Sequence, residues 1–377
     1  MYLKRIYLKN FRNYDLLNIE FNKRINIIYG NNAQGKTNLL ESIYYLATTK
    51  SHRLNNDSEI IKFGSNVCKI KGVINNQKID TNLEIALSEN GKILKINHQE
   101  IKKVGNYITS NFNIIIFEPD DLNLIKGSPN ERRNFINLEL SQISNNYYNI
   151  LTEYNKILKI RNNVLTKMLN NKNVDDSYFK IITNKLISKA VLIYKMRNKF
   201  IDELNLECGD IFLSLTKTAG FTIKYEPNIE FESYETEYLK EKLFKIYQNN
   251  YEKEVRLGTT IYGPHRDNIG FYINLKNVKE FGSQGQQRMA ILSCKLSEIT
   301  IYKKYKNSEP IILLDDVFSE LDDIKKNNLL KYLKNNHQII ITTTDLKKIN
   351  KKLLGEANIY KIKEGKIIKL EEMKENE

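Results

Sequence analysis

Apolar and polar residues alternate near the start of the chain, from Tyr2 to Leu8 and again from Leu17 to Phe21. This alternation is typical of half-buried strands, so the chain is predicted to begin with a sheet. The next run, Ile25 to Tyr29, is mostly apolar and ends at Gly30. Apolar residues then recur at helical spacing, at Leu39, Leu40, Ile43 and Leu46. The pattern therefore predicts a strand, a loop and a helix in that order.

The middle of the chain is predicted to form strands first and helices afterwards. Short strands are expected between residues 66 and 117, and the last of them is a buried run at Ile114 to Phe117. A helix should begin after Ser128, because this serine can cap it, Pro129 suits the first helical position and Glu131 completes a capping box.

Two long stripes of apolar residues at helical spacing follow, separated by a polar turn from Asn170 to Asp176. The first stripe comprises Tyr147, Leu151, Tyr154, Leu158, Leu165 and Met168. The second comprises Phe179, Ile182, Leu186, Ile193, Phe200 and Leu204. Two amphipathic helices with a short connection pack antiparallel, which predicts a helical hairpin. A core helix pair is favoured over an arm that binds a partner.

The last part of the chain returns to strands from Phe221, with a helix near Glu237 to Tyr251 and a strand around Ile269 to Leu275. A closing hairpin is predicted around Glu364-Gly365. The final residues, Glu371 to Glu377, form a charged tail.

Length and composition indicate a globular protein with one large domain and an insertion, or with two to three domains. The chain has 377 residues, of which 41% are hydrophobic and 28% are charged. No segment approaches the roughly 20 apolar residues that span a membrane, so a cytoplasmic location without membrane contact is expected. The cysteines, Cys68, Cys208 and Cys294, form no CxxC pair, which argues against a zinc site or a disulfide framework.

The net charge of +14 would raise the local concentration of a polyanion around the protein. Charge alone does not distinguish DNA, RNA and an acidic lipid surface, and lysine-rich faces often have no partner. Nucleic-acid binding therefore has to be argued from other residues.

The strongest local motif is the run from residue 30 to residue 37, which fits the phosphate-loop pattern G-x-x-x-x-G-K-[ST]. It lies between a predicted strand and a predicted helix, as this pattern requires. Its backbone N–H groups can surround phosphates, Lys36 can reach the outer phosphates of ATP, and Thr37 offers a hydroxyl to Mg²⁺. The predicted nucleotide-binding residues are Gly30, Asn31, Asn32, Ala33, Gln34, Gly35, Lys36, Thr37 and Asn38.

A carboxylate for the metal is predicted at the end of a neighbouring strand. The apolar run Ile311 to Leu314 indicates a strand buried on both faces, and it leads into Asp315 and Asp316. Asp315 is predicted to hold Mg²⁺ with Thr37, while Asp316 orients or deprotonates the attacking water. Lys36, Asp315 and Asp316 are thus the predicted catalytic residues. Because Lys36 and Asp315 lie 279 residues apart, a large segment is inserted between the two halves of the site.

The segment Ser283 to Arg288 precedes the acidic strand and opens a predicted helix. It resembles the signature motif of ABC-type ATPases, in which these residues meet the γ-phosphate of ATP bound by a second subunit. Ser283 and Gln286 also fit an ordinary S-x-x-Q helix cap. The resemblance implies that ATP joins two copies of the chain, and the residues it assigns to ATP are Ser283, Gln284, Gly285 and Gln286.

Two later segments bear on the same ABC-type site. Ser319 to Asp322 resembles the D-loop that crosses the dimer interface in this family. The strand from Gln338 ends at Thr342, where transporter members carry a histidine, whereas His337 lies before the strand. With Asp316 where many relatives have glutamate, this departure implies slow hydrolysis and leaves the γ-phosphate sensor unassigned.

Further segments resemble those of the RecF family, the SMC-related recombination mediators of bacteria. Beside the motifs already given, they are Phe11-Arg12-Asn13-Tyr14, Ser51-His52-Arg53, Glu118 to Leu122, Lys126 to Pro129, Arg132-Arg133 and Gly263 to Asp267. The resemblance implies an ATP-dependent homodimer that recognises junctions of double-stranded and single-stranded DNA in gapped DNA. It also implies RecR and RecO as partners, with RecA loaded downstream.

Several residues in these segments have two interpretations. His52 and Arg53 fit either nucleotide contacts or a surface pair, and Arg266 fits either an ATP-facing or interface arginine or a turn stabiliser. Contacts to DNA phosphates and a solvated basic face are the two interpretations of Lys126, Arg132 and Arg133.

The predicted fold is α/β, with an ABC-type P-loop ATPase lobe of residues 1–115 and 252–377 and an inserted, mainly helical lobe of residues 116–251. The predicted function is ATP-dependent DNA binding in replication and recombinational repair, with a weak ATPase activity that acts as a switch. One alternative is the nucleotide-binding subunit of a membrane transporter, against which Thr342 and the long insertion argue. The other is an ATP-gated scaffold without DNA specificity.

Overall fold

The computed structural model describes residues 1–371 apart from 55, 77, 111, 172–173, 320 and 334–336. Contacts divide the chain into two compact units. The first unit comprises Met1–Asp121, Ser214–Lys217 and Leu292–Glu377. The second unit comprises Leu122–Leu213 and Thr218–Ile291.

Strands and helices are numbered in chain order. The strands are β1 Tyr2–Phe11, β2 Tyr14–Glu20, β3 Ile25–Tyr29, β4 Val67–Asn76, β5 Ile79–Ser88, β6 Gly91–Ile96, β7 Gln99–Glu100, β8 Ile114–Phe117, β9 Phe221–Glu226, β10 Asn268–Ile273, β11 Lys276–Asn277, β12 Ile311–Asp315, β13 Ile339–Thr343, β14 Ala357–Lys363 and β15 Lys366–Glu371. The helices are α1 Lys36–Thr48, α2 Val104–Ser110, α3 Asn123–Lys126, α4 Pro129–Ile143, α5 Asn145–Leu169, α6 Asp176–Thr216, α7 Thr236–Asn249, α8 Tyr251–Leu257, α9 Val278–Phe281, α10 Gln284–Lys306, α11 Asp323–Leu333 and α12 Lys351–Gly355.

The first unit contains a six-stranded sheet in the order β15-β14-β3-β13-β12-β8. All neighbouring strands from β14 to β8 pair in parallel, whereas β15 is antiparallel to β14. Strands β8, β12 and β13 are buried along their whole length, as expected for a parallel sheet covered on both faces. Since parallel strands end at one edge of a sheet, the loops after β3, β8, β12 and β13 lie at the same edge.

A second, antiparallel sheet of the first unit has the order β2-β1-β4-β5-β6-β7. Buried and exposed residues alternate along β4, which is the pattern of a sheet with one face in the core. Helix α1 packs against this buried face so closely that a side chain at Gly72 would overlap Leu46. Strands β1 and β2 run further than the alternation predicted, because a tight turn at Arg12-Asn13 joins them.

Helices α5 and α6 of the second unit run antiparallel. Glu153 and Lys189 form an ion pair at 2.5 Å, and the Arg161 guanidinium donates to the Thr183 hydroxyl at 3.1 Å. The residue number of the contact increases along α5 and decreases along α6, as in an antiparallel helical hairpin. Its closed end is an apolar cluster of Val164, Leu165, Phe179 and Ile182.

Arg161 ties this hairpin to the segment that follows residue 251. Its side chain is fully buried and donates to Glu254 Oε2 at 2.6 Å and to Thr260 Oγ1 at 2.7 Å. The guanidinium also lies over the rings of Phe179 and Tyr247, at 4.9 and 4.7 Å from their centroids. These contacts, with the pairing of β9 and β10, join residues 252–273 to the second unit, which ends at Ile291, whereas the sequence predicted a limit at residue 251.

The predicted start of α4 is right in position and wrong in its capping interaction. Ser128 occupies the cap position and Pro129 the first helical position, but the Ser128 side chain makes no capping hydrogen bond. The Glu131 N–H instead donates to the Ser128 backbone carbonyl at 3.2 Å.

None of the helices in the described part of the chain has the length and apolar character to cross a bilayer.

Candidate functional site

The loop between β3 and α1 closes around the amine of Lys36. This amine donates to the backbone carbonyls of Gly30 and Asn31, both at 2.8 Å. Burial lowers the pKa of Lys36, and the carboxylates of Asp316 and Asp315 oppose this shift. The first residue of α1 thus places a cation among loop carbonyls, at a helix end where anions are favoured.

Gly35 ends the loop in a conformation that only glycine adopts without strain. Its φ is +110°, and a side chain there would lie 2.6 Å from Asn13 Nδ2 and 2.9 Å from the Tyr14 hydroxyl. The Tyr14 hydroxyl donates to the Gly35 carbonyl at 2.7 Å. The turn between β1 and β2 therefore supports the loop directly. The sequence pointed to Asn13 and Tyr14 only through the family resemblance.

The turn between β14 and β15 supports the loop on another side. The Gln34 side-chain carbonyl accepts from the Glu364 N–H at 2.6 Å, and the Gln34 backbone carbonyl accepts from the Gly365 N–H at 3.1 Å. A side chain at Gly30 would overlap the carbonyl oxygen of Ile362. The sequence predicted this hairpin, but nothing in its pattern indicated a contact with the loop.

Asp315 lies at the end of β12 within reach of the loop. The Thr37 hydroxyl donates to Asp315 Oδ1 at 3.1 Å, and the Thr342 hydroxyl donates to the same atom at 2.5 Å. Burial raises the pKa of Asp315, while the hydrogen bonds from Thr342 and Thr37 act in the opposite direction. A hydroxyl and a carboxylate oxygen are ligands that Mg²⁺ prefers, so these two side chains fit the metal predicted here.

Asp316 faces a different environment from Asp315. Its backbone is left-handed, with φ of +50°, and its N–H donates to the Thr342 hydroxyl at 3.1 Å. Its carboxylate is partly exposed and accepts from the Ser319 hydroxyl at 2.5 Å. Thr342 therefore holds both aspartates, a supporting role that its position in place of the transporter histidine did not indicate.

His52 and Arg53 follow α1 and differ in exposure. The His52 ring is 6% exposed and lies 3.1 Å from the carboxylate of Glu118, at the end of β8. Burial alone would raise the pKa of Glu118, but His52, Lys295 and Arg53 outweigh it and hold that pKa below its usual value. The surface-pair interpretation is wrong for His52. Arg53 is exposed, with its guanidinium 3.4 Å from Asn38 Oδ1.

The signature segment in the second unit forms the helix cap that the sequence offered as an alternative. The Ser283 N–H donates to Gln286 Oε1 at 2.9 Å, and the Gln286 N–H donates to the Ser283 hydroxyl at 3.3 Å. Ser283, Gln284 and Gly285 are exposed. The nearest atom to a side chain built at Gly285 is 4.0 Å away, so packing within the chain does not require glycine there.

Both interpretations of Arg132, a contact to DNA phosphate and a solvated basic residue, are wrong. It is 5% exposed, and it donates to Asn268 Oδ1 at 2.7 Å and to the carbonyls of Leu124 and Gly127 at 3.1 Å. Arg133 is partly buried, whereas Lys126 is exposed. Arg132 therefore has a structural role, and the sequence pattern did not distinguish it from Arg133.

The remaining predictions concern the ends of β12 and β13. Within the D-loop segment, Glu320 lies outside the described residues, and Asp322 caps α11 by accepting from the Lys325 N–H at 2.9 Å. His337 is buried before β13 and lies 3.5 Å from the Glu309 carboxylate. It therefore does not take the place of the histidine that transporters carry after this strand.

A parallel sheet with a glycine-rich loop and an acidic strand at one edge, interrupted by a long helical insertion, defines an ABC-type P-loop ATPase fold of mixed α/β class. The profile of the RecF/RecN/SMC N terminal domain family matches residues 2–367. Two curated proteins called DNA replication and repair protein RecF, from Ligilactobacillus salivarius and Halalkalibacterium halodurans, are each 40% identical to this chain. The alignments cover 97% of both chains for the first, and 98% of this chain and 100% of the relative for the second.

A solved structure of the recombination mediator protein RecF-ATP in the RecFOR pathway superposes with a TM-score of 0.91. It is 33% identical in sequence, and the match covers 98% of each chain. The chain belongs to the RecF family. The sequence-based alternative, the nucleotide-binding subunit of a membrane transporter, is therefore wrong.

Proposed function

We propose that this protein is an ATP-dependent DNA-binding protein of replication and recombinational repair, with a slow ATPase activity that acts as a switch. Its relatives are called DNA replication and repair proteins, and a solved relative is a recombination mediator with ATP. The observation that carries the proposal is the convergence of Lys36, Thr37 and Asp315 at one edge of the parallel sheet in a chain of this family.

ATP binds at the loop from Gly30 to Asn38, the residues predicted from the sequence. The loop N–H groups and the start of α1 receive the phosphates, because both present positive potential. Lys36 exchanges its carbonyl partners for phosphate oxygens. The turns at Asn13-Tyr14 and Glu364-Gly365 keep the loop in place before the nucleotide arrives, which reduces the ordering entropy lost on binding.

Thr37 and Asp315 would hold Mg²⁺, which would supply positive charge to the transferring phosphoryl group. Thr342 keeps the Asp315 carboxylate oriented through its hydroxyl. Asp316 orients or deprotonates the water that attacks the γ-phosphate, and ADP and phosphate are the products. The aspartate is one methylene shorter than the glutamate of many relatives, which supports slow turnover.

ATP joins two copies of the chain through the signature segment. Ser283, Gln284, Gly285 and Gln286 contact the γ-phosphate of the nucleotide held by the second copy. The capping box supports this role, because it fixes the exposed helix start without blocking it. Gly285 supports it too, since glycine there leaves space for a close approach from outside the chain.

The homodimer with ATP binds gapped or junction DNA, where double-stranded and single-stranded DNA meet. RecR and RecO are the protein partners, and loading of RecA follows. The net charge of +14 favours a polyanion.

The test measures binding to gapped duplex DNA with ATP, with ADP and without nucleotide, at two protein and two salt concentrations. Wild type, Lys36→Arg and Asp316→Asn are compared. ATP should strengthen DNA binding together with dimer formation, and Lys36→Arg should lose both. Asp316→Asn should keep both while hydrolysis falls about 100-fold, so that its DNA complex dissociates more slowly.

Two outcomes would contradict the proposal. DNA binding that is absent, or equal in the three nucleotide conditions, would remove DNA as the target of the switch. An Asp316→Asn protein that releases DNA at the wild-type rate would favour the ATP-gated scaffold, in which turnover is incidental.

A further inference from the structure

The turn from Gly263 to Asp267, between α8 and β10, is a family segment that the ATP chemistry above does not use. Asp267 is buried and accepts a hydrogen bond from Arg197 at 2.8 Å and another from the Tyr225 hydroxyl. Arg197, which is also buried, donates to the Pro264 carbonyl at 2.7 Å. Arg197 therefore holds the turn at two of its residues, Pro264 and Asp267, and forms a buried ion pair with the second.

His265 is fixed on both sides of its ring. Its Nδ1 lies 2.7 Å from the Tyr154 hydroxyl, and its Nε2 lies 3.1 Å from the Thr260 carbonyl. A carbonyl accepts only, so Nε2 carries the proton and Nδ1 accepts from Tyr154. Gly263 has a φ of +134°, and a side chain there would lie 2.5 Å from the same Tyr154 hydroxyl. The turn is thus held in one conformation.

Arg266 is the one residue of this turn whose side chain is exposed. Within the described part of the chain it has neither a hydrogen-bond nor an ion-pair partner for its guanidinium. A buried ion pair such as Arg197–Asp267 is weak evidence for stability, because desolvation offsets the attraction. Its physical effect here is to fix the backbone that presents Arg266 to solvent. An arginine on a rigid backbone loses less conformational entropy when its guanidinium binds a planar or tetrahedral anion.

Other cations lie on α4, which contacts this turn, and on α3 and α9 beside it. Arg133 donates to the Asp267 carbonyl at 2.8 Å from the first turns of α4. Lys279 in α9 donates to the Gly127 carbonyl at 3.3 Å, next to the exposed Lys126. Positive groups from α3, α4, α9 and the turn thus share one region of the second unit.

We infer that Arg266 contacts a backbone phosphate of DNA and that Arg133, Lys126 and Lys279 extend the same contact surface. The inference rests on the proposed DNA binding and assigns residues to it. Cations on several separate elements suit an extended polyanion better than one triphosphate, whose contacts are already proposed at Gly30 to Asn38 and at Ser283 to Gln286. Arginine binds a phosphate through two N–H groups at once, whereas lysine offers a point charge.

The experiment compares wild type, Arg266→Gln, Arg266→Lys and Arg256→Gln. Arg256 is an exposed arginine on α8 and serves as a charge-matched control outside the proposed surface. Binding of a fluorescent gapped duplex is titrated with ATP present, at four salt concentrations, and ATP affinity and ATP-dependent dimer formation are measured in parallel. A thermal unfolding curve for each variant verifies folding.

Arg266→Gln should weaken DNA binding about tenfold at low salt, because one charge-assisted contact is lost. It should also reduce the slope of log affinity against log salt by about 1, the value for one phosphate. Arg266→Lys should recover the slope but only part of the affinity. Arg256→Gln should match wild type in affinity.

Wild-type affinity and slope in Arg266→Gln would overturn the inference while leaving the proposed function intact. Loss of ATP affinity or of dimer formation in this variant, with DNA binding reduced only in proportion, would also overturn it, since the arginine would then serve the nucleotide. Failure of the wild type to bind DNA would instead contradict the proposed function.

Discussion

The phosphate loop and the signature segment both contain a glycine next to a helix start, and the two glycines differ in what surrounds them. Gly35 is enclosed by Asn13 and Tyr14 and has a φ that other residues avoid. Gly285 is exposed, with open space where a side chain would lie. The loop is therefore shaped by its own chain, whereas the signature segment leaves room for something outside it.

The hydrogen bonds of the two regions show the same difference. Lys36 and Thr37 have partners within the first unit, at Gly30, Asn31 and Asp315. In the signature segment, the Ser283 and Gln286 side chains each accept a hydrogen bond from the other residue's backbone N–H. The phosphate loop is thus organised within a single chain, whereas the proposed role of the signature segment would require a second molecule.

The largest effect should come from alanine at the two glycines. Gly35→Ala should reduce ATP affinity about 100-fold, because a side chain in this left-handed conformation is strained and displaces Asn13 and Tyr14. Gly285→Ala should leave ATP affinity of the monomer unchanged and stabilise α10 by about 0.5–1 kcal/mol. It should nevertheless weaken ATP-dependent dimer formation at least tenfold.

Equilibrium binding of a fluorescent ATP analogue and sedimentation with ATP measure these effects. Equal loss of monomer ATP affinity in both variants would contradict this prediction, because the signature glycine would then act within its own chain.

A second effect concerns the turn that carries Arg266. Burial lowers the pKa of His265 to about 4, so its imidazole is neutral in the folded protein where an unfolded histidine is protonated. The unfolded state then binds more protons between about pH 6.5 and pH 4, and stability falls as the pH falls through this range. The loss attributable to His265 reaches about 3 kcal/mol at pH 4.

Urea unfolding of wild type and His265→Gln at pH 7, 5.5 and 4.5 isolates this contribution. The variant should be less stable at pH 7 and should lose less stability on acidification. Parallel pH curves for the two proteins would show that His265 does not couple the turn to protonation.

The smallest effect should come from Thr342. Thr342→Val removes a hydroxyl that donates to Asp315 and accepts from the Asp316 N–H, at nearly constant volume. Mg²⁺ affinity in the presence of ATP should fall about tenfold, the usual result of losing a partner that orients a metal ligand. Thr342→Ser keeps the hydroxyl and should stay close to wild type. A Thr342→Ser protein as weak as Thr342→Val would indicate that packing of the methyl group matters instead.

The parts of the fold that the sequence predicted are those where local pattern and backbone geometry coincide. Strand β3, the loop and α1 follow from an apolar run, two glycines and a helical stripe, and Ile25–Tyr29 is observed with the predicted bounds. A phosphate loop requires a metal-binding carboxylate at the end of a neighbouring strand, which predicts Asp315 beside Thr37 although 278 residues separate them. Motifs with a fixed backbone requirement are therefore readable without a structure.

Contacts between distant segments could not be predicted in this way. The support of Gln34 by Glu364 and Gly365 joins two turns that are 330 residues apart, and neither turn carries a residue type that specifies the contact. Arg132 was misjudged because an arginine that satisfies buried carbonyls has the same sequence signature as one that binds phosphate. The difference lies in its neighbour Asn268, which only the fold brings near.

The position of β3 in the parallel sheet governs when the protein can acquire its nucleotide site during synthesis. This strand pairs with β13 and β14, which emerge from the ribosome more than 300 residues later. Until then its buried edges have no partners, and apolar strands in that state are prone to aggregate. A nascent chain would remain unable to bind ATP for most of its synthesis, and this strand would need protection from aggregation until β13 and β14 emerge.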